Sequence, residues 1–266
     1  MSSRRCRRFR RHFRQVSEVG LNVLQWNAGG LSLPKRIDLI HTLSGQNIDV
    51  FAIMEANLTL DTVKFYPFPG YNVYLLPKYR KVASGILVGI KDTLTADFEI
   101  CKEMGESEDK REIIKLEVWK KSCRFKIYMF PQEANPTCLR YPSIIRPLSL
   151  VNTHSTRWGY DDMNAAGKEI EDLLNSSLLD LIYDTSDPPT YMHYNGSGST
   201  PDLLCVSTNL SPFTNRIVIG DPGSGHRQII ASIVIQGQKT KPHYSQRKSW
   251  NFKKADWVEL KRNCKN

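Results

Sequence analysis

Short apolar segments separated by turns dominate the hydrophobic pattern of this chain. Ten of them are rich in Val, Ile, Leu or aromatic residues and predict β-strands. The predicted strands are LNVLQWN from 21, DVFAIME from 49, YNVYLL from 71, SGILVGI from 84, EIIKLEVW from 112, RFKIYMF from 124, LSLVN from 148, LLCVS from 203, RIVIG from 216 and QIIASIVI from 228. Several are apolar almost throughout, which is the pattern of strands buried on both faces.

Helical periodicity is clear in two places. The first predicted helix has Ser32 as its N-cap, Pro34 in its first turn and Gly45 at its end. Its apolar face is formed by Ile37, Ile40 and Leu43. The second runs from about 165 to 175, with apolar positions at Ala166, Ile170, Leu173 and Leu174. Because so few helices accompany ten strands, the pattern favours one domain of two packed sheets with outer helices over regular βαβ winding.

Length and composition narrow the class of protein. The chain has 266 residues, of which 40% are hydrophobic, so it can fill a sizeable core. No segment approaches the roughly 20 apolar residues of a membrane span, and no apolar block near the start resembles a secretory signal. The six cysteines have no paired spacing, which indicates neither a zinc site nor a disulfide frame. We therefore expect a soluble intracellular protein.

The net charge of +10 is concentrated at the two ends of the chain. Residues 1–15 contain seven arginines and no acid, and residues 236–266 contain nine Lys or Arg against two acids. Each end carries +7, which leaves −4 for residues 16–235. Basic tails bind phosphates without sequence preference by releasing counterions. A solvated, disordered terminus explains residues 1–15 equally well, and an Arg-rich start is also typical of a mitochondrial transit peptide.

Two predicted strands end in oxygen-bearing side chains. Asn27 closes the strand from 21, and Glu55 closes the strand from 49. An amide oxygen and a carboxylate at neighbouring strand ends can bind Mg²⁺, which takes a few oxygen ligands together with water and phosphate. Taken alone the signal is weak, because such residues at strand ends more often form turns.

A histidine and an aspartate open two later strands. His226 lies in the Gly-rich turn DPGSGHRQII, and Asp202 lies in TPDLLCVS. A carboxylate that holds an imidazole fixes its tautomer and raises its proton affinity. Since a single histidine at a strand start is usually structural or exposed, the pairing is a hypothesis that needs a reason to place the two residues together.

A family resemblance supplies that reason. Six blocks in chain order resemble the endonuclease/exonuclease/phosphatase superfamily, and more narrowly the endonuclease domain of jockey-type non-LTR retrotransposons. The blocks are LQWNAGGL, DVFAIMEANL, FPGYNVYLLPKYRKVASGILVGI, NTHSTRWGYDDMNAAGKEIEDLL, DPPTYMHYNGSGSTPDLLCVS and DPGSGHRQIIASI. They span roughly residues 20–237. The tail RKSWNFKKADWVELKRN resembles the segment that links such a domain to a reverse transcriptase.

The resemblance implies a fold and a reaction. The fold is a four-layer α/β sandwich of the deoxyribonuclease I type, in which two packed mixed β-sheets are flanked by helices. Loops at the strand ends hold Mg²⁺, with Mn²⁺ as a substitute, for cutting a DNA phosphodiester. The metal polarises the phosphate, while a network of His and Asp assists the attacking water. Asn27 and Glu55 match the residues on the metal side.

Four further residues are matched by motif. Asp202 matches the acid that orients the histidine, and His226 matches that histidine. Asn152 matches the asparagine that closes the family's Gly-Asp-Phe-Asn block and places the attacking water or the phosphate. Thr190 matches a threonine near the active face, where it contacts substrate or serves in a turn or in strand pairing.

The chain departs from the family pattern in three places. Where the family has Gly-Asp-Phe-Asn, the chain reads Ser149-Leu150-Val151-Asn152 or, with a three-residue deletion, Val151 directly followed by Asn152, and either alignment loses the aspartate. A general base typically contributes about 10² to 10⁴ in rate, so this loss is severe. The Ser-Asp-His block has Gly225 in place of its acid, and the active-site tyrosine is lost unless Tyr128 shifts into its place. The acids Asp161, Asp162 and Glu133 lie near these blocks, and we predict surface roles for them.

We therefore predict a Mg²⁺-dependent DNA endonuclease domain of retrotransposon origin over residues 20–237, impaired in this copy. A basic disordered tail, residues 1–19, precedes it and a basic linker remnant, residues 238–266, follows. The first alternative is a catalytically dead nucleic-acid-binding remnant, and the second is a phosphoesterase acting on small phosphoesters or phosphoinositides. We expect a monomer that binds DNA, does not bind membranes and resides in the nucleus. In an intact relative, element RNA or the reverse transcriptase would be a further partner.

Overall fold

The computed structural model of the protein describes residues 18–78, 84–104, 110–121, 123–129, 145–149 and 153–236. Within these ranges the chain forms fourteen β-strands and two α-helices. The strands build two six-stranded sheets and one small hairpin.

The first sheet combines both ends of the described chain. It consists of β1 (Glu18–Asn27), β2 (Val50–Met54), β3 (Tyr71–Leu76), β4 (Ile86–Lys91), β13 (Thr214–Val218) and β14 (Ile229–Gln236). Their order is β13-β14-β1-β2-β4-β3. Strands β1 and β2 are parallel, and β14 runs antiparallel to β1 on its other side. The carboxyl ends of β1 and β2 therefore meet the amino end of β14 at one edge of the sheet.

The second sheet is built from the middle of the chain. It consists of β5 (Thr95–Met104), β6 (Lys110–Lys120), β7 (Cys123–Met129), β8 (Ile145–Ser149), β9 (Leu179–Leu181) and β12 (Asp202–Ser207). Their order is β5-β6-β7-β8-β12-β9. Strand β8 is parallel to β7 and antiparallel to β12. The register pairs Asp202 with Ser149, which places the first residue of β12 beside the last residue of β8.

A continuous apolar core fills the space between the two sheets. Leu21 and Val23 of β1 pack in it with Leu116 of β6, Ile127 of β7 and Leu204 of β12. All five side chains are almost fully buried. Since alternate residues of a strand point to opposite faces, the other residues of these strands pack outward.

Each sheet buries its outer face under one helix. Helix α1 (Leu33–Gly45) packs Leu39 and Leu43 against the outer residues of the first sheet. Helix α2 (Ala165–Ser176) packs Ile170 and Leu174 against the second. The order of layers is thus helix, sheet, sheet, helix. Burial on both faces accounts for the nearly unbroken apolar runs of the central strands.

All ten strands predicted from the sequence are present, although of LSLVN only residues 148 and 149 lie within the described ranges. The predicted apolar faces of the helices need correction. Ile37 is 52% exposed, because Leu39 and Leu43 face the sheet and Ile37 is rotated by about 200° from Leu39. Ala166 is also exposed, since the buried residue of that turn is Gly167.

Four strands were not predicted. Strand β5 alternates polar and apolar residues at the edge of the second sheet, so it lacks an unbroken apolar run. Strand β9 has three residues, and the hairpin strands β10 (Tyr191–Met192) and β11 (Gly198–Ser199) have two each. Elements this short carry no periodicity. Within the described part of the chain, neither helix is long and apolar enough to cross a membrane.

Candidate active site

Two polar side chains lie at the carboxyl ends of the parallel strands β1 and β2. Asn27, the last residue of β1, pairs with Met54, and Glu55 follows directly at the same edge. The Asn27 Nδ2 donates to the Glu55 Oε1 at 3.1 Å, while the Asn27 Oδ1 accepts from the Gly29 N–H at 3.1 Å. Asn27 is buried and Glu55 is half-buried. The two residues assigned to the metal side are therefore in direct contact.

The backbone around Asn27 and Glu55 has an uncommon conformation and is held by several hydrogen bonds. Glu55 has a left-handed backbone conformation with φ of 51°. This conformation is uncommon in residues other than glycine, and residues that adopt it are often found at functional sites. Its carbonyl oxygen accepts from the Gly30 N–H at 2.8 Å. The Lys35 Nζ donates to the carbonyl oxygens of Ala28 at 2.7 Å and Gly30 at 3.2 Å. An ammonium group from α1 therefore stands beside the turn that follows Asn27.

His226 and Asp202 meet at the same edge from different sheets. His226 precedes β14, whose amino end lies beside the carboxyl end of β1, and Asp202 begins β12 across the interlayer core. The His226 Nδ1 lies 2.8 Å from the Asp202 Oδ2. Their side chains are only 12% and 2% exposed. The structure thus brings together the two residues that the sequence could only pair by hypothesis.

The surroundings of His226 shift its proton affinity. Burial lowers the pKa of the imidazole, but the hydrogen bond to Asp202 and the charge of that carboxylate raise it. The charges of Glu55 and Asp221 raise it further, and the net pKa lies above its ordinary value of 6.5. Glu55 is therefore one of the charged groups that act on His226.

Asp202 is fixed by two buried side chains. The Thr190 Oγ1 accepts from the Asp202 N–H at 3.2 Å, and Thr190 is fully buried. The Arg216 Nη2 donates to the Asp202 carbonyl oxygen at 3.3 Å. Arg216 also forms an ion pair with Asp187, and its side chain is 3% exposed. Thr190 therefore positions Asp202 in this structure, while its contact with substrate stays a prediction.

Trp26 connects β1, which carries Asn27, to the loop that carries His226. Its indole Nε1 donates to the Ser224 Oγ and to the His226 carbonyl oxygen, both at 3.0 Å. Trp26 is 1% exposed and directly precedes Asn27 in β1. The strand that carries the metal-side asparagine therefore also holds the loop that carries His226.

The turn before His226 explains why a glycine replaces the usual acid. Gly225 has φ of +84°, and a Cβ there would lie 2.9 Å from the Tyr191 Cε2. The Tyr191 ring in turn packs 4.6 Å from the His226 ring. The carboxylate of Asp221 accepts from the N–H groups of Gly223, Ser224 and Gly225 at 2.8 to 2.9 Å. Asp221 therefore supplies a negative charge near His226 from another position.

The sequence also matches a family of known nucleases. Residues 151–230 match the family model described as Endonuclease-reverse transcriptase. This segment contains Thr190, Asp202 and His226 and ends before most of β14. No curated protein matches the sequence.

Solved structures share the fold over most of the chain. The endonuclease domain of TRAS1, a telomere-specific non-LTR retrotransposon, has 15% identity and a TM-score of 0.61, over 82% of this chain and all of that one. The AP endonuclease LMAP from Leishmania major has 14% identity and a TM-score of 0.60, over 80% and 87%. D. rerio TDP2, complexed with a single-strand DNA product, has 12% and 0.57, over 80% and 98%. The fold is that of the endonuclease/exonuclease/phosphatase superfamily. The predicted resemblance to this superfamily and the four-layer sandwich are confirmed, while the narrower assignment to jockey-type elements stays a prediction.

By the resemblance, the superfamily's Gly-Asp-Phe-Asn block is matched to Ser149-Leu150-Val151-Asn152, and this match stays a prediction. Asn152, predicted to place the attacking water or the phosphate, lies outside the described residues, as do Leu150 and Val151. The loop resumes at Thr153, which is buried. The buried Trp158 holds this loop by donating from its Nε1 to the Thr153 carbonyl oxygen at 3.1 Å. The Trp-Gly pair that follows the block is therefore an anchor of the loop.

Tyr128 is the residue that would have to shift to serve as the active-site tyrosine that the resemblance implies. It is buried in the outer layer of the second sheet, with Trp158, Ile170 and Leu174. Neighbouring residues of β7 face the interlayer core instead, as Ile127 does. The phenol of Tyr128 is therefore under α2, on the far side of its sheet from the interlayer space.

Several residues of this site were not predicted from the sequence. Trp26, Lys35, Arg216 and Asp221 all act through contacts with residues that are distant in the chain or through backbone geometry. Of these, Asp221 carried a usable signal, because Asp-Pro-Gly-Ser-Gly is a turn sequence whose first side chain commonly accepts backbone N–H groups.

Proposed function

We propose that residues 20–237 form a divalent-metal-dependent DNA endonuclease domain of retrotransposon origin, which nicks target DNA and is impaired in this copy. The observation that carries the proposal is the convergence of the Asn27–Glu55 pair with the Asp202–His226 pair at one edge of the sandwich. Trp26, which directly precedes Asn27 in β1, donates to the His226 carbonyl oxygen at 3.0 Å and so connects the two pairs. Carboxylate, amide and imidazole groups converging on a superfamily fold support phosphodiester hydrolysis.

His226 is the residue that handles the proton. Its Nδ1 is engaged by Asp202, so the Nε2 is the nitrogen left to accept a proton from the attacking water or to contact a phosphate oxygen. A pKa above 6.5 makes the neutral imidazole a stronger base, although less of it is neutral at a given pH. Asp202 stabilises the imidazolium that results, and Thr190 and Arg216 keep Asp202 in place.

The residues present fit a Mg²⁺ or Mn²⁺ ion that is held by few protein ligands. Among the described residues, no group of three or more His, Cys, Asp or Glu side chains can hold a metal. Mg²⁺ is commonly held by one or two carboxylates together with water and substrate phosphates. Glu55 offers a carboxylate whose Oε1 is hydrogen-bonded by the Asn27 Nδ2, and the Asn27 Oδ1, which accepts from the Gly29 N–H, would be the second oxygen of such a minimal set. When bound there, the ion would polarise the phosphate and stabilise the leaving oxygen.

Impairment is supported by the sequence of the Gly-Asp-Phe-Asn block. Leu150 and Val151 replace the aspartate and its neighbour, and neither can accept a proton or bind a cation. His226 and Asp202 keep the second half of the proton-handling machinery. We therefore expect slow nicking, with a rate that depends on His226.

Nicking of supercoiled plasmid in Mg²⁺ tests the proposal. The unmodified protein is compared with Glu55→Ala and with Glu169→Ala, which removes an exposed carboxylate on α2. Glu55→Ala should lower the nicking rate at least about 10²-fold, because a metal centre contributes several kcal/mol to the transition state. Glu169→Ala should nick like the unmodified protein. Equal nicking by the Glu55→Ala protein would contradict metal catalysis at this site.

A second candidate is a non-catalytic nucleic-acid-binding remnant, which the missing aspartate and the basic chain ends both favour. Here affinity for DNA should fall steeply with salt, because phosphate contacts release counterions. Deleting residues 1–15 and 238–266 should then abolish binding. Binding that is insensitive to salt would count against this candidate.

A further inference from the structure

A second histidine and aspartate pair lies in the loop after the Gly-Asp-Phe-Asn block. The His154 Nδ1 is 2.9 Å from the Asp162 Oδ1. The Tyr160 ring stacks on the imidazole with 4.3 Å between the ring centroids and 14° between the planes. We call His154, Tyr160 and Asp162 the His154 platform. None of the three belongs to the residues assigned to hydrolysis.

The platform is mounted on a rigid loop. The Asn164 Oδ1 accepts from the His154 N–H at 3.1 Å, and the Asn164 N–H donates to the His154 carbonyl oxygen at 3.2 Å. A Cβ at Gly167 would come within 1.8 Å of that oxygen, so α2 packs directly on the backbone of His154. The Tyr160 N–H donates to the Ser155 carbonyl oxygen at 3.2 Å. Both rings are therefore held in place by the first turn of α2 and by the loop itself.

A chain of contacts joins the platform to His226. Burial raises the pKa of Tyr160, whose side chain is hydrogen-bonded to Ser199, and the charges of Asp202 and Asp162 raise that pKa further. Ser199 pairs with Tyr191 in the hairpin, and the Tyr191 ring lies 4.6 Å from the His226 ring. The platform therefore lies on the same side of the molecule as the Asp202–His226 pair.

The His154 ring is held in place and partly accessible to solvent. Its side chain is 34% exposed, while Tyr160 stacks on the ring and Asp162 contacts its Nδ1. Proteins stack unpaired bases on aromatic rings that are fixed in orientation and accessible from solvent.

The local charge favours a base over a phosphate. Asp162, which is 68% exposed, places a carboxylate beside the imidazole, and the adjacent Asp161 is also exposed. Carboxylates beside the ring would repel a phosphate, whereas stacking of a neutral base is little affected by them. A duplex keeps its bases stacked on each other, so only an unpaired base can reach this surface.

We infer that the His154 platform binds an unpaired base of the DNA strand near the phosphate that is cut. This inference rests on the proposed endonuclease function and names its substrate class as DNA with a frayed, flapped or mismatched nucleotide at the cleavage site. His154 and Tyr160 act as a substrate-binding element and take no part in the bond cleavage.

Fluorescence of 2-aminopurine tests the inference independently of cleavage. The full chain is titrated, in EDTA to prevent cutting, into two duplexes that differ in whether the 2-aminopurine is paired or unpaired. The unpaired probe should bind more tightly, and its fluorescence should be quenched by stacking. His154→Ala should weaken binding of the unpaired probe about 5- to 150-fold and remove the quenching, since stacking of one base contributes that range. Binding of the paired probe should be unchanged, which also shows that the variant is folded.

Two further variants separate stacking from charge. His154→Phe keeps an aromatic face and should bind the unpaired probe within about twofold of the unmodified protein. His154→Lys introduces a cation without an aromatic face and should lose the preference. His41→Ala, which removes an exposed imidazole on α1, is the matched control and should change neither probe.

The outcomes are distinct. Equal affinity of the unmodified protein for the two probes would overturn the inference and leave the endonuclease proposal standing. Retention of the preference by His154→Lys but not by His154→Phe would overturn it in favour of a phosphate contact. Absence of binding to either probe would overturn the inference together with the proposed DNA substrate.

Discussion

The two imidazole–carboxylate pairs of this protein are nearly identical in geometry and opposite in surroundings. The Nδ1–Oδ distances are 2.8 Å for His226 with Asp202 and 2.9 Å for His154 with Asp162. The side chains of the first pair are 12% and 2% exposed, and those of the second are 34% and 68% exposed. Each imidazole also contacts a tyrosine ring. The contacts alone therefore do not distinguish the two pairs.

The difference lies in what the solvent can reach. Water and salt screen an exposed pair, so its attraction contributes little, whereas a buried pair keeps most of its interaction. The buried Asp202 can therefore govern the protonation of His226. The exposed pair has a different use, because solvent exposure leaves part of the His154 ring accessible to a ligand. Burial suits His226 for proton transfer, and exposure suits His154 for binding.

The largest effect is expected when the buried carboxylate loses its charge. Asp202→Asn keeps the shape of the side chain but removes the charge that stabilises the imidazolium of His226. We expect the nicking rate to fall about 10²- to 10⁴-fold, the usual range for general acid–base catalysis. The plasmid assay in Mg²⁺ measures this rate. A rate within threefold of the unmodified protein would remove His226 from the proposed mechanism.

The same variant should change the pH dependence of stability. His226 has a folded pKa above 6.5, so the stability it contributes is fully present below about pH 6.5 and is lost as the pH rises through the folded pKa. In Asp202→Asn, burial is left as the main influence, and it lowers the pKa. Chemical denaturation should therefore show the largest deficit of the variant at acidic pH. Histidine NMR titration should show the His226 pKa falling.

A smaller effect is expected from replacing Arg216, which donates to the Asp202 carbonyl oxygen. Arg216→Met removes one partner of the half-buried ion pair with Asp187 and the donor to the Asp202 carbonyl oxygen. Losing both contacts should cost about 2 kcal/mol in the free energy of unfolding, measured by urea denaturation. The double variant Arg216→Met with Asp187→Leu should recover part of this loss. If Arg216→Met alone were as stable as the unmodified protein, the ion pair would not be bracing Asp202.

The sequence predicted the interior of the fold better than its margins. Central strands such as β2 and β4 are buried on both faces, so their apolar runs were visible without any structure. The edge strand β5 mixes polar and apolar residues and was missed. Ile37 was placed on the wrong face of α1, because an apolar residue signals burial without saying which sheet surface is available. Hydrophobic periodicity indicates which side chains favour burial. Which surface they pack against is decided by the tertiary structure.

The candidate site divides in the same way. Asn27, Glu55, Asp202 and His226 were visible because motifs place them at strand ends, and the topology then brings those ends to one edge. The contacts of Trp26 with the loop before β14 join residues about 200 positions apart, which no local pattern reports. The role of Asn152 stays a prediction, because this residue lies outside the described ranges.

The smallest effect should come from a substitution in the exposed pair, His154 with Asp162. Asp162→Asn removes the charge beside His154, and exposed ion pairs contribute less than about 1 kcal/mol. We expect stability and the plasmid nicking rate to stay within the error of the measurement. Affinity for the unpaired-base probe should fall less than about fivefold, because Asp162 orients the ring without being the stacking surface. A loss of nicking as large as that of Asp202→Asn would mean that both pairs act in catalysis, and exposure would then no longer separate a binding histidine from a catalytic one.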